Sequence, residues 1–164
     1  MPSILFVCTA NRFRSPIAAI YFAQKVVQQG DDQDFQISSA GTWTVSGQPA
    51  TPNAVELGEA YDLNLSLHKS RLLTGEILSK ADLVLVMEAG HKEAILHEFP
   101  SSKQRVFLLT EAVGLHPVNI PDPYSTTEPA PRVAEEIIEL IDLGYQDLID
   151  LAWEKAQDHQ GNVN

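Results

Sequence analysis

The chain of 164 residues contains a single cysteine, Cys8. One thiol excludes an internal disulfide, and chains without disulfides are typical of a reducing compartment, so we expect a cytoplasmic protein stabilised by its core. No apolar run approaches the roughly 20 residues that span a bilayer. The first residues lead directly into a predicted strand, without the charged and apolar regions of a signal peptide. We therefore expect neither secretion nor membrane insertion.

Basic residues are also few, because 11 Lys and Arg stand against 22 Asp and Glu, giving a formal net charge of -11. Nucleic acids and anionic membranes are bound by basic surfaces, so this balance argues against both as partners. The five histidines are scattered, and no pair has the helical spacing of metal ligands with a third ligand to match. We expect no metal and no cofactor, and we expect His91 and His97 on the surface of one short helix.

The hydrophobic pattern predicts strands that alternate with helices along one domain. Apolar runs predict strands at 4–7, 35–39, 81–87 and 105–109, and helical spacing predicts helices at 15–29, 51–61, 71–79, 90–97 and 131–157, with an irregular segment at 111–128. This alternation predicts an α/β fold, in which a parallel sheet is covered by helices on both faces. We assign the domain to residues 1–157 and expect a frayed polar tail at 158–164.

The segment from Cys8 to Pro16 carries the strongest functional signal. The short strand at 4–7 leads into Cys8, while Ser15 and Pro16 are typical of the N-cap and first position of a helix. The residues between must form a tight loop whose backbone N–H groups converge near the positive end of the helix, which suits an anion. These surroundings favour the thiolate, and the planar fork of Arg14 can hold two phosphate oxygens. The segment therefore predicts attack on a phosphoryl group through a phosphocysteine.

That reaction also needs an acid for the departing oxygen and a base for the water that follows, and one carboxylate can serve both steps. Asp122 is the candidate among the 22 acidic residues, because Pro121 and Pro123 hold it in a stiff loop and Tyr124 follows. Two plainer interpretations stay open from the residues alone. Cys8 would also fit as a small buried hydrophobic side chain, and Asp122 as an ordinary turn residue.

Several motifs, in order along nearly the whole chain, resemble the low-molecular-weight protein tyrosine phosphatase family. The phosphate loop of that family reads roughly C-x-G-N-x-C-R-S, and its acid loop reads D-P-aromatic. The matching residues are Cys8, Asn11, Arg14, Ser15 and Pro16; Ser39-Ala40-Gly41-Thr42; His68-Lys69-Ser70-Arg71; Ala81-Asp82-Leu83-Val84 with Met87; and Asp122-Pro123-Tyr124. Two motifs at opposite ends of the chain make this resemblance far more specific than the Cys8 to Arg14 spacing alone.

The resemblance implies a four-stranded sheet in the order 2-1-3-4 and a protein tyrosine phosphatase acting on phosphorylated proteins or small phosphomonoesters. It implies Cys8 as the nucleophile, Arg14 as the phosphate clamp and Asp122 as general acid and then base. It also implies three sets of binding and supporting residues. Phosphate would be bound by Thr9, Ala10, Asn11, Arg12, Phe13, Arg14 and Ser15. A left-handed Asn11 would be supported by Ser15, Ser39 and His68, and Ser15 would also stabilise the thiolate. The substrate cleft would be lined by Arg12, Trp43 and Tyr124.

Three loop residues depart from the family pattern. The loop glycine is Ala10, which fits at negative φ but at positive φ would be strained by roughly 1 kcal/mol or more. The second loop cysteine is Phe13, so no neighbouring thiol can protect an oxidised Cys8 in a disulfide. The position that often separates phosphotyrosine from phosphoarginine specificity is Arg12 here, where Ile or Thr is usual.

These departures leave three alternative functions open. A phosphoarginine phosphatase would use the same catalytic residues. A catalytically weak module would bind phosphoproteins without turnover. An arsenate reductase on this scaffold would need an external thiol at every step, because Cys8 is the chain's only cysteine. The sequence does not specify an oligomeric state.

Overall fold

The computed structural model describes residues 1–31 and 34–161. The strands are β1 (Ser3–Cys8), β2 (Gln36–Gly41), β3 (Leu83–Val86) and β4 (Val106–Leu108). The helices are α1 (Arg14–Gln29), α2 (Pro52–Glu59), α3 (Gly75–Ser79), α4 (Ala89–Glu98), α5 (Leu109–Ala112) and α6 (Ala130–Gly161), and a 3-10 helix at Pro100–Arg105 precedes β4.

The four strands form one parallel sheet in the order β2-β1-β3-β4, so the predicted topology is confirmed. The strand β1 lies in the interior of the sheet, where Ile4 pairs with Ile37 of β2 on one side and with Leu83 of β3 on the other. An interior parallel strand is buried on both faces, which explains why β1 and β3 read as continuous apolar runs.

Helices cover both faces of the sheet, as predicted. Alternate residues of β1 enter two separate cores: Ile4 and Phe6 belong to the larger one, and Leu5 and Val7 to the smaller one. The larger core is completed by α1, α5 and α6, and the smaller core by α3 and α4. Because successive side chains of a strand point to opposite faces, these two cores fix the register of β1.

The helix α6 is longer than predicted and bends at one residue. Gly144 has φ -108° and ψ 19°, and a Cβ at this position would lie 2.3 Å from Cβ of Val113. The helix continues through Gly161, and His159 Nδ1 lies 2.7 Å from Asp82 Oδ1 at the start of β3. Residues 158–161 of the expected frayed tail are therefore helical, because this contact ties them to the sheet; residues 162–164 lie outside the described residues.

The carboxyl ends of β1 and β3 meet at one edge of the sheet, where parallel α/β folds bind their ligands. Cys8 ends β1, and Met87 and Glu88 follow β3. The backbone N–H of Ile120 donates to the carbonyl of Met87 at 2.8 Å, so the loop that carries Asp122 begins at the same edge. Within the two described ranges, no helix combines the length and the apolar character that a membrane crossing requires.

Candidate active site

The sulfur of Cys8 lies at the centre of this edge, in a side chain that is 2% exposed. Sγ is 3.0 Å from the hydroxyl of Ser15 and accepts the backbone N–H of Asn11 at 3.3 Å. The prediction that Ser15 caps α1 is wrong: Phe13 is the N-cap, and Arg14 is the first helical residue. The hydroxyl of Ser15 faces the sulfur instead, where it can donate to a thiolate.

Asn11 adopts the left-handed conformation implied by the resemblance, with φ 56°. Its amide nitrogen donates to Ser15 Oγ at 2.8 Å and to Ser39 Oγ at 2.9 Å, and its Oδ1 accepts the backbone N–H of Arg71 at 2.9 Å. The carbonyl of Asn11 accepts from His68 Nε2 at 2.7 Å. Burial lowers the pKa of His68; its hydrogen bond to the Asn11 carbonyl opposes this shift, and the charge of Arg71 assists it. The Nε2–H of His68 therefore holds the strained residue in place.

The loop accepts Ala10 without strain. Among the described non-glycine residues only Asn11 and Asp62 have positive φ, so Ala10 needs no left-handed backbone. The glycine that the loop requires lies in β2: a Cβ on Gly41 would come within 2.5 Å of the carbonyl oxygen of Thr9. Close approach of β2 to the loop therefore depends on Gly41.

Arg14 is buried, with 3% of its side chain exposed, and three oxygen-bearing groups surround its guanidinium. Nη1 donates to the carbonyl of Ile120 at 2.8 Å and lies 3.3 Å from Glu88 Oε1. Nη2 lies 3.8 Å from Asp122 Oδ2. The guanidinium is thus placed between the end of β3 and the loop that carries the predicted general acid.

The two oxygens of Asp122 have different surroundings. Oδ1 accepts the backbone N–H of Tyr124 at 2.9 Å, which makes a local side-chain turn, while Oδ2 is the oxygen nearest to Arg14. Asp122 is therefore a turn residue and a site residue at once. The turn fixes the carboxylate and leaves Oδ2 facing the guanidinium of Arg14.

Cys8, Arg14 and Asp122 border one cavity of about 290 Å³. Its lining residues are Cys8, Ala10, Arg12, Phe13, Arg14, Thr51, Asp122 and Tyr124. The rings of Phe13 and Tyr124 form one wall, with centroids 5.9 Å apart and planes at 79°. Such a cavity offers a polar floor for a phosphoryl group and an aromatic wall for a planar substituent.

Two contacts hold the rim of the cavity. The hydroxyl of Tyr124 donates to Thr51 Oγ1 at 2.8 Å, and Arg12 Nε donates to the carbonyl of Pro49 at 2.8 Å. Trp43, which the resemblance assigned to the cleft, is 84% exposed and lies outside the cavity lining. Arg12 and Tyr124 therefore border the cavity, whereas Trp43 does not.

Two residues at this edge were not predicted as site residues. Glu88 contacts Arg14, and His91 Nε2 lies 2.8 Å from Thr9 Oγ1. The expectation that His91 is a surface residue is wrong, since it is 5% exposed and its helix starts at the sheet edge. Both residues follow directly after β3, so the rule that ligands bind beyond the carboxyl ends of parallel strands was the signal that could have found them.

The titratable groups of the site do not form a metal centre. Nowhere in residues 1–31 and 34–161 do three His, Cys, Asp or Glu side chains lie close enough together to hold a metal ion.

Comparison with known proteins gives consistent matches. A family model described as low molecular weight phosphotyrosine protein phosphatase matches residues 3–158. A probable low molecular weight protein-tyrosine-phosphatase from Ralstonia nicotianae is 35% identical over 142 residues, which is 87% of this chain and 90% of that protein. A protein-arginine-phosphatase from Bacillus subtilis is 36% identical over 122 residues, 74% of this chain and 79% of that protein. The crystal structure of a low molecular weight protein tyrosine phosphatase from T. tengcongensis matches with a TM-score of 0.82 and 36% identity, covering 90% of this chain and 100% of that one.

Proposed function

Because the chain belongs to the low molecular weight phosphotyrosine protein phosphatase family, we propose that it hydrolyses phosphotyrosine in proteins through a phosphocysteine on Cys8. The observation that carries this proposal is the convergence of Cys8, Arg14 and Asp122 on one cavity, although Asp122 comes from a distant part of the chain. The lone cysteine, which must stay reduced to react, supports a location in the cytoplasm.

The first step forms a bond between sulfur and phosphorus. The thiolate of Cys8 attacks the phosphorus while the bond to the tyrosine oxygen breaks, and the protonated carboxyl of Asp122 gives its proton to that oxygen. Arg14 and the loop N–H groups bind the non-bridging oxygens, whose charge must be stabilised throughout. The products of this step are the dephosphorylated tyrosine side chain, phosphocysteine and a carboxylate at Asp122.

The second step regenerates the enzyme. The carboxylate of Asp122 takes a proton from a water molecule as the water oxygen attacks phosphorus, and the sulfur–phosphorus bond breaks. Inorganic phosphate leaves, Cys8 returns to the thiolate, and Asp122 is again protonated. Ser15 Oγ, 3.0 Å from the sulfur, lowers the cost of releasing the thiolate by hydrogen bonding.

Hydrolysis of para-nitrophenyl phosphate at about pH 5.5 is the direct test of this function. We expect turnover that EDTA does not reduce. Tight phosphate binding without turnover would instead support a phosphoprotein-binding module, and activity that EDTA abolishes would contradict the mechanism.

Replacement of the proposed general acid, Asp122→Asn, is expected to lower kcat/KM for phenyl phosphate by about 10²-fold. The loss should be smaller for para-nitrophenyl phosphate, because para-nitrophenolate leaves without needing a proton. Glu128→Gln is the matched control, since this exposed carboxylate lies in the same loop outside the cavity lining. Equal losses of kcat/KM for both leaving groups would show that Asp122 is not the proton donor, because kcat/KM reports the first step and not the hydrolysis of the phosphocysteine, which is common to both substrates.

Arg12 supports phosphotyrosine over phosphoarginine as the substrate. Its Nε is held by the carbonyl of Pro49, so a positive charge stays at the rim of the cavity. A phosphoarginine side chain carries its own cationic guanidinium next to the phosphoryl group, which this charge would repel. The uncharged ring of phosphotyrosine meets no such repulsion and can pack against Phe13 and Tyr124.

Arg12→Thr should therefore raise the ratio of phosphoarginine to phosphotyrosine hydrolysis by about fivefold, since one like-charge repulsion at a partly exposed rim is worth about 1 kcal/mol. Paired peptides that differ only in the phosphorylated residue measure this ratio. Lys69→Thr removes an exposed positive charge outside the cavity lining and should leave the ratio unchanged. An unchanged ratio in Arg12→Thr would show that this charge does not select the substrate.

A further inference from the structure

The first turn of α4 contacts both ends of the phosphate loop. His91 Nε2 lies 2.8 Å from the hydroxyl of Thr9, the residue directly after Cys8. Glu88 Oε1 lies 3.3 Å from Nη1 of Arg14, at the other end of the loop. A loop held at both ends by one short helical turn cannot change its width without moving that turn.

The hydrogen bonds of His91 determine which of its nitrogens carries the proton. Nδ1 accepts the backbone N–H of Glu88 at 3.1 Å, so the proton of a neutral imidazole must be on Nε2. Nε2–H then donates to Thr9 Oγ1. Burial, assisted by the charge of Arg14 and opposed by Asp122, lowers the pKa of His91 to about 4. The imidazole therefore remains neutral, and its contact with Thr9 remains, at the pH of the assay.

Glu88 supplies the counter-charge of a buried guanidinium. A buried arginine without an anionic partner is costly, and Asp122 must give up its negative charge when it is protonated for the first step. Glu88 remains as the second carboxylate beside Arg14, with 28% of its side chain exposed. Glu88 and the carbonyl of Ile120 both contact Nη1 of Arg14. The other N–H groups of the guanidinium remain for phosphate oxygens.

We propose that Glu88 and His91 are positioning residues for phosphoryl transfer: Glu88 orients the guanidinium of Arg14, and His91 holds the loop at Thr9. Neither residue lines the cavity, so each acts through the loop and not on the substrate. The inference rests on the proposed roles of Cys8 and Arg14. Preorganised donors favour the transition state more than the ground state, so the loss of either residue should reduce kcat more than it raises KM.

The first test is Glu88→Ala, assayed with para-nitrophenyl phosphate and with vanadate and inorganic phosphate as inhibitors. We expect kcat to fall by about tenfold and the vanadate inhibition constant to rise by a similar factor, because a five-coordinate vanadate resembles the transition state. The phosphate inhibition constant should change less. Glu88→Gln, which keeps an oxygen acceptor, should lie between the wild type and Glu88→Ala. Glu93→Ala, an exposed glutamate on the same helix, should behave like the wild type.

The second test separates the two hydrogen bonds of His91. His91→Asn places an acceptor where Nδ1 stood, so it can keep the bond from the Glu88 N–H while losing the one to Thr9. We expect a fall in kcat of about fivefold to tenfold with an almost unchanged Tm. Thr9→Val should give a similar loss, and the double variant should lose little more, since both changes remove the same bond.

The outcomes separate this inference from the proposed function. If the wild type is active and Glu88→Ala has the same kcat and the same vanadate inhibition constant, the role of Glu88 is overturned. Strictly additive losses in His91→Asn and Thr9→Val would overturn the role of His91. Tighter phosphate binding in Glu88→Ala, with kcat unchanged, would show that Glu88 only repels anions and would also overturn it. A wild type without turnover would instead defeat the proposed function. Should Glu88→Ala fail to fold, Glu88→Gln carries the same comparison.

Discussion

Cys8→Ser should abolish phosphomonoester hydrolysis: we expect the turnover of para-nitrophenyl phosphate to fall by about 10⁴-fold or more. A serine hydroxyl is not ionised near neutral pH, so the donors that face the sulfur would meet a far weaker nucleophile. Those donors are the hydroxyl of Ser15 and the backbone N–H of Asn11. Initial rates measure the loss, and circular dichroism with phosphate binding shows that the variant is folded and keeps its loop.

Chemical labelling provides an independent control, because Cys8 is the only thiol of the chain. Iodoacetate should inactivate the enzyme in step with the incorporation of one label, and inorganic phosphate should slow both processes equally. Activity of Cys8→Ser above about 1% of the wild type would exclude Cys8 as the nucleophile. Full activity after complete labelling would exclude it as well.

Arg14→Lys should lower kcat/KM by about 10²-fold to 10³-fold, the range seen when one preorganised donor to a developing oxyanion is removed. The substitution keeps the positive charge but replaces a planar fork with a single ammonium group. One ammonium cannot bond to the carbonyl of Ile120 in the same geometry and also bind two phosphate oxygens. The charge partners Glu88 and Asp122 remain paired, so the loss measures geometry and not an uncompensated buried charge.

Arg132→Lys is the matched control for this prediction, because Arg132 is 58% exposed at the start of α6. It should keep kcat/KM within about twofold of the wild type. The Tm of both variants distinguishes a loss of catalysis from a loss of stability. If Arg14→Lys kept nearly full activity, positive charge alone would be sufficient and the fork would not be the phosphate clamp.

Elements governed by local chemistry could be predicted from the sequence. The Thr51-Pro52 pair predicted the start of α2, and Thr51 Oγ1 does accept the backbone N–H of Ala54 at 3.2 Å. The apolar runs predicted β1 and β3 because interior parallel strands need no polar face. In both cases the residues that decide the structure are neighbours in the sequence.

Long-range contacts explain what the sequence did not reveal. Ser15 had the chemistry of an N-cap, but its hydroxyl is taken by Cys8 and Asn11, so α1 starts without a side-chain cap. His91 looked like a surface residue of a short helix until the fold placed Thr9 against it. The effect of Ala10 depended on a backbone angle that no motif specifies. Each outcome was decided by a partner or a geometry that only the folded chain provides.

The position of β1 has a consequence for how the protein is made. Its residues Leu5 and Phe6 are buried between β2 and β3, so after their synthesis their burial is delayed until β3, which ends at Val86, has also been synthesised. At typical translation rates this delay is on the order of ten seconds. During that time an apolar strand with an unpaired edge is open to aggregation. Substitutions that weaken β1 should therefore reduce the yield of newly made protein more than the half-life of protein that has already folded.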